Sequence, residues 1–172
     1  MTSLQTLDDS SAHGSPEPAP RPVRLLTVID GSERTGRILE LALDLVRKGL
    51  AAEAVLLGVV SEPPSGRLRG YGSFKRKDVH ARLKDIMGGR AVAAAARRLD
   101  HAGVTHKDRI EVGDAAETIL RVADEESCDL VLLGAAPAGP FGRWLSTIAG
   151  LSVDTVAGKV AKLATLPVLI VK

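Results

Sequence analysis

From Val23 onward, short apolar runs alternate with longer stretches in which apolar residues recur every third or fourth position. These are the signatures of buried strands and of helices packed upon them. Val23, Leu25, Leu26, Val28 and Ile29 form the first run, which stops at Asp30-Gly31-Ser32, where turn chemistry begins. This predicts strand β1. Ile38, Leu41, Ala42, Leu45 and Val46 then give the stripe of a helix α1, expected to end near Gly49. The Ser32 hydroxyl is placed to accept from the exposed amides of its first turn.

Ala54 to Val60 is almost continuously apolar between Glu53 and Pro63-Pro64, as expected of a strand β2 covered on both faces. The Gly-, Pro- and Arg-rich stretch from Ser61 to Lys77 reads as a long loop. Val79, Leu83, Ile86, Ala95, Leu99 and Ala102 mark a helix α2 that Gly88-Gly89 bends or weakens. His106 to Val112 alternates polar and apolar residues as a strand β3, and Asp114 with Glu117 forms a capping box at the head of a helix α3. Asp129 to Gly134 predicts β4. Val156, Val160 and Leu163 predict a helix α4 after the loop 135–152, and Pro167 to Val171 predicts β5.

Strict alternation of strands with helices implies right-handed crossovers and one doubly wound, Rossmann-like parallel five-stranded α/β sheet. In the order 3-2-1-4-5, the winding reverses between β1 and β4, and ligands of such folds bind at that crevice, at the carboxyl ends of the strands. Asp30 and Gly134 would line it. Met1 to Pro22 is rich in Ser, Pro and Asp and lacks the apolar area that offsets ordering entropy, so a disordered tail is expected over 1–22, with the domain over 23–172.

Composition adds mainly exclusions. The chain has 172 residues, 45% hydrophobic and 26% charged, which suits one packed domain. A net charge of +2 supplies no field for nucleic acid, and the basic cluster Arg67, Arg69, Lys75, Arg76 and Lys77 carries only Tyr71 and Phe74 as stacking groups. The expectation is no nucleic-acid and no membrane partner, since no apolar stretch is long enough to span a bilayer. Cys128 is the one cysteine, which excludes an internal disulfide, fits a reducing cytoplasm and reads as a small buried side chain. His13, His80, His101 and His106 have no partners at metal-ligand spacing and read as surface residues, so no metal site is expected.

Val28-Ile29-Asp30-Gly31-Ser32 resembles the strand-end D-x-S signature of universal stress proteins. Asp129 to Gly134 is similar to their fourth strand, and Val156 to Val160 with Leu166 to Val171 to their last helix and strand. The resemblance covers Val23 to Lys172. It implies a regulatory stress-response protein of the cytoplasm, not an enzyme, which binds ATP with magnesium through an aspartate at the Asp30 position and a glycine-rich phosphate loop after β4. Ser32 and Val59 would join Asp30 among the nucleotide-binding residues, and Gly134 would open the phosphate loop.

The family pattern of that loop is G-2x-G-9x-G-(S/T). Aligned from the C-terminal strand, its closing pair falls on Asp154-Thr155, and the span from Gly134 is seven residues longer than the pattern. Phosphate needs bare amides beside the positive end of a helix, and a carboxylate at that point repels it. A second register uses Gly139 and Gly142 as the first element and Gly150-Leu151-Ser152 as the closing one. Arg143 would add a charge, and Ser152 would cap α4 in place of Asp154. The alternative is a homodimeric interaction module of the same fold without nucleotide. There the enlarged loop, with Phe141, Trp144 and Leu145, fills the crevice, and the apolar strand β5 pairs with a second copy.

A phosphorylation receiver shares an acid at the end of β1 but needs a pair of acids there for magnesium, where this chain has Ile29-Asp30. Neither an S-G-G-x-D-S loop nor an H-x-G-H motif of related nucleotide-using enzymes occurs.

Overall fold

The computed structural model describes residues 22–61, 89–135 and 155–172, and within them the two apolar rhythms become five strands and four helices. Strands β1 (Arg24–Ile29), β2 (Glu53–Val60), β3 (Thr105–Val112), β4 (Leu130–Gly134) and β5 (Val168–Val171) alternate with helices α1 (Glu33–Arg47), α2 (Gly89–His101), α3 (Ala115–Glu125) and α4 (Val156–Leu163). Every pairing in the sheet is parallel and the order is β3-β2-β1-β4-β5, the winding that the alternation predicts. The expected tail short of Pro22, the basic cluster 67–77 and the Val79, Leu83 and Ile86 part of the α2 stripe lie outside the described residues. So does the loop 136–154.

Side chains alternate across the strands, and both faces of the sheet are covered. Leu26, Val55, Leu57, Val131 and Leu133 face α3 and α4, where they pack with Ile119, Val122, Ala157 and Val160. On the other face, Ile29 and Leu56 meet Leu39 and Leu43 of α1 and Val92 and Leu99 of α2, while Leu25 and Leu132 meet Ile38 and Ala42. Burying one such leucine fully stabilises the fold by about 1.5–3 kcal/mol relative to leaving it in water. Two-sided burial is why β4 reads as apolar without alternation.

Helix ends follow the local chemistry. At the end of α1 the Gly49 amide donates to the Val46 carbonyl and the Leu50 amide to the Leu45 carbonyl, with Gly49 at φ 69°, so glycine there closes the helix in the left-handed conformation. Asp114 caps α3, its Oδ1 accepting the Glu117 amide at 3.0 Å.

Helix α4 departs from its expected stripe. Ala157 and Val160 point inward, while Leu163 is 60% exposed and Val156 also lies outward. The helix is rotated so that the small Ala157, not Val156, lies against the sheet. Leu163 therefore adds apolar surface instead of core, beside Leu120 and Leu166.

Candidate functional site

The register of the sheet collects the candidate residues at one edge. Ile29 pairs with Gly58, so one further step along the parallel ladder sets Asp30 beside Val59. Thr27 pairs with Leu132, so the same ladder carried two steps on sets Ile29 beside Gly134. Asp30, Val59 and Gly134 thus lie at the carboxyl ends of three adjacent strands, where β1 leads to α1 on one face and the chain beyond β4 leads to α4 on the other. This is the reversal point at which doubly wound sheets hold ligands.

Asp30 organises its own loop. One carboxylate oxygen, Oδ1, accepts the Ser32 amide at 2.9 Å, the Ser32 hydroxyl at 2.7 Å and the Thr35 hydroxyl at 2.9 Å. Burial alone would push the carboxyl up. The Ser32 and Thr35 hydrogen bonds and the nearby Arg34 charge outweigh it and hold Asp30 below the usual carboxylate range. Oδ2 accepts nothing among the described residues. Gly31, at φ 72°, supplies the left-handed turn that brings Ser32 back over the carboxylate.

Two expectations change here. Ser32 stands at the N-cap position of α1, but its side chain makes no cap bond, because the hydroxyl proton is given to Asp30 and the oxygen turns with it. Thr35, overlooked in the sequence, is the third donor. The signal was present: hydroxyls two and five positions after an aspartate at a strand end can both reach back to it.

On the β4 wall, Gly134 ends its strand without a left-handed φ, so the bare backbone is not demanded by a tight turn. Its missing side chain leaves room on the α1 face. A Cβ there would stand 3.5 Å from Ile38 Cδ1 and 3.6 Å from Cβ and Cδ of Arg34. Thr155 caps α4, its hydroxyl oxygen accepting the Gly158 amide at 3.1 Å, which is the role expected of Asp154 or Ser152. Threonine suits it because its extended backbone aims the oxygen at the third amide of the helix. The hydroxyl proton stays available to an acceptor. Gly139, Gly142, Arg143 and Ser152 lie outside the described residues.

A family model of the universal stress protein family matches residues 23–172. The chain belongs to that family. No curated protein matches it significantly. Among solved structures, a universal stress protein family member from Burkholderia pseudomallei shares 22% identity at a TM-score of 0.61, over 86% of this chain and 94% of its own. A universal stress protein in complex with cAMP shares 25% identity at a TM-score of 0.62, over 88% and 97% of the two chains. One from Archaeoglobus fulgidus in complex with dAMP shares 21% at a TM-score of 0.54, over 88% and 98%.

For a universal stress protein, the rest of the described surface is notable for where chemistry is withheld. Cys128 is half-buried at the foot of β4, and burial pushes its thiol up to about 11, so it stays protonated and unreactive near neutral pH. His106 is less exposed than expected of a surface residue, lying 3.6 Å from Asp108 and 3.9 Å from Asp100 because β3 turns it toward the end of α2. Among the described residues, no group of three metal-ligating side chains converges, and no helix is long and apolar enough to cross a membrane.

A cleft of about 510 Å³ opens between α1 and α2, lined by Ser32, Thr35, Arg90 and Arg98 among others. It borders the Asp30 loop on the side away from Gly134 and does not reach Thr155. The β1–β4 edge remains the place where the candidate residues meet.

Proposed function

We propose that this universal stress protein binds an adenine nucleotide, ATP with magnesium, between the carboxyl ends of β1 and β4, and acts in the cytoplasm as a stress-response regulator. The Asp30 carboxylate carries the reading: one oxygen is committed to the loop, and the other is an ordered, ionised acceptor at the crevice. Ribose hydroxyls are donors that suit it. Val59 borders the same edge, Gly134 opens the β4 wall, and Thr155 has a proton to give a phosphate oxygen while its oxygen caps α4.

Gly139, Gly142, Arg143 and Ser152 would add phosphate contacts from the loop. Relatives complexed with cAMP and dAMP support an adenine nucleotide as the ligand class. Occupancy would change the loops around the crevice and thereby the surface offered to partners. The reading asks for no chemistry on the nucleotide.

The test is to denature the purified protein, identify any nucleotide released, and titrate the stripped protein with ATP and magnesium by calorimetry. Binding is expected, and Asp30→Ala should weaken it by about 1–3 kcal/mol, the scale of a hydrogen bond to a charged acceptor. No released nucleotide and no heat would reject the reading.

A second reading, a homodimeric interaction module with its crevice filled, is favoured by the outermost strand. Leu169 and Ile170 of β5 are 41% and 40% exposed. An unpaired apolar edge invites pairing with a copy of itself. Light scattering should then show a dimer whose mass falls on Leu169→Asp, and a monomeric wild type would dismiss it.

A further inference from the structure

Arg34 lies outside the nucleotide reading above, yet three observations set it apart. Its aliphatic stem lies across the open face of Gly134, whose ideal Cβ position stands 3.6 Å from both Cβ and Cδ of the arginine. Its Nε is buried and has no hydrogen-bond partner among the described residues. It occupies the first turn of α1, where the amino-terminal end of the helix dipole disfavours a cation.

The last two features work against local stability. Buried donors are almost always paired, and cations belong at the other end of a helix. Asp30 supplies a nearby charge but no hydrogen bond to Nε, and a residue that breaks two local rules in this way marks a place where function, not folding, selects the side chain. A ligand that accepts hydrogen bonds and carries negative charge over the end of β4 suits both features.

We propose that Arg34 is the anion-binding residue of the crevice and receives the phosphate oxygens of the nucleotide from the α1 side. The proposal rests on the nucleotide reading and deepens it. A guanidinium presents several donors in a rigid fork that matches two phosphate oxygens at once.

Asp30 and Arg34 then divide the ligand between them. The carboxylate takes the hydroxyl-bearing sugar, and the guanidinium takes the phosphates. The two charges lie close enough that Arg34 helps to hold the Asp30 carboxyl ionised.

The experiment compares adenosine and ATP by calorimetry on wild type, Arg34→Gln and Arg34→Lys. Wild type should bind ATP more tightly than adenosine. Arg34→Gln should lose about tenfold or more in ATP affinity, the scale of one charge-assisted contact, while adenosine affinity stays unchanged. Arg34→Lys should recover only part of the loss, because an ammonium lacks the fork. A melting temperature for apo Arg34→Gln at or above that of wild type would confirm that Arg34 has no internal partner to lose.

If wild type binds neither ligand, both readings fall. If wild type binds adenosine as tightly as ATP, the nucleoside site stands and the assignment of Arg34 is overturned. The assignment is also overturned if Arg34→Gln leaves the ratio of the two affinities unchanged, or weakens both ligands equally.

Discussion

The Ser32 hydroxyl lies 2.7 Å from Asp30 Oδ1 and donates to it, so the residue at the head of α1 orders a carboxylate instead of capping its helix. Three donors converge on that one oxygen, two from Ser32 and one from Thr35. Ser32→Ala and Thr35→Val each remove one hydroxyl. In either variant the Asp30 carboxyl should rise toward its ordinary value of about 4, as followed by carbon-detected NMR titration. An unmoved titration would show that these hydroxyls do not hold the charge.

The lowered Asp30 pKa makes a signed statement about acid stability. Its contribution is fully present above the unfolded value of about 4 and is lost as pH falls through the lower folded value. Urea unfolding of wild type and Asp30→Asn should therefore differ at neutral pH and converge in acid. A gap that persisted into strong acid would contradict this.

Two glycines at the crevice should respond differently to alanine. Gly31→Ala forces a left-handed residue with a side chain and should cost about 1–2 kcal/mol, although its nearest neighbour, Ala91 Cβ, would stand at 3.4 Å. Gly134→Ala meets only ordinary contacts at 3.5 and 3.6 Å, and its cost should stay within about 0.5 kcal/mol. Chemical denaturation of both variants is the measurement. Equal losses would mean that Gly134 is needed for folding itself.

Thr27 is fully buried in the middle of β1 and its hydroxyl has no partner among the described residues. Valine has the same branched shape without the stranded polar group. Thr27→Val should leave stability unchanged or raise it by about 1 kcal/mol, seen as an unchanged or higher thermal midpoint. A clear loss would reveal a partner for the hydroxyl.

Glu126, at the end of α3, is 8% exposed and ties that helix to the edge strand. Lys107 Nζ donates to both of its oxygens at 2.8 Å, and Arg109 donates at 2.7 Å. The Lys107 and Arg109 bonds outweigh burial and hold its carboxyl below the usual range. Glu126→Gln removes the counter-charge of Lys107, while Arg109 keeps Glu111 and Glu125, and should cost about 1–3 kcal/mol in urea unfolding at neutral pH. The loss should shrink as pH falls through the folded pKa, since stability from a depressed carboxyl is present only above it. A loss independent of pH would assign the effect to packing.

Much of this architecture could be read residue by residue. Apolar periodicity is a local property, and its alternation between strand and helix rhythms constrains the winding, so the parallel sheet followed without coordinates, while its order was an expectation that the pairing bears out. The positions of Asp30 and Gly134 at the carboxyl ends of β1 and β4 were also legible, because each stands where an apolar run stops. Neighbours alone could not reveal the rotation of α4 that turns Leu163 outward, since Val156 and Ala157 fit a helical stripe equally well and only packing against the sheet chose between them.

Nor could they show that Ser32 serves Asp30, a choice made by the left-handed turn at Gly31. Arg34 and Gly134 lie far apart in the chain and meet only because β1 pairs with β4. The chemistry of that edge therefore depends on tertiary structure: hydrogen bonds and unpaired donors depend on distances of a few ångströms, and a one-dimensional pattern does not carry distances across the sheet.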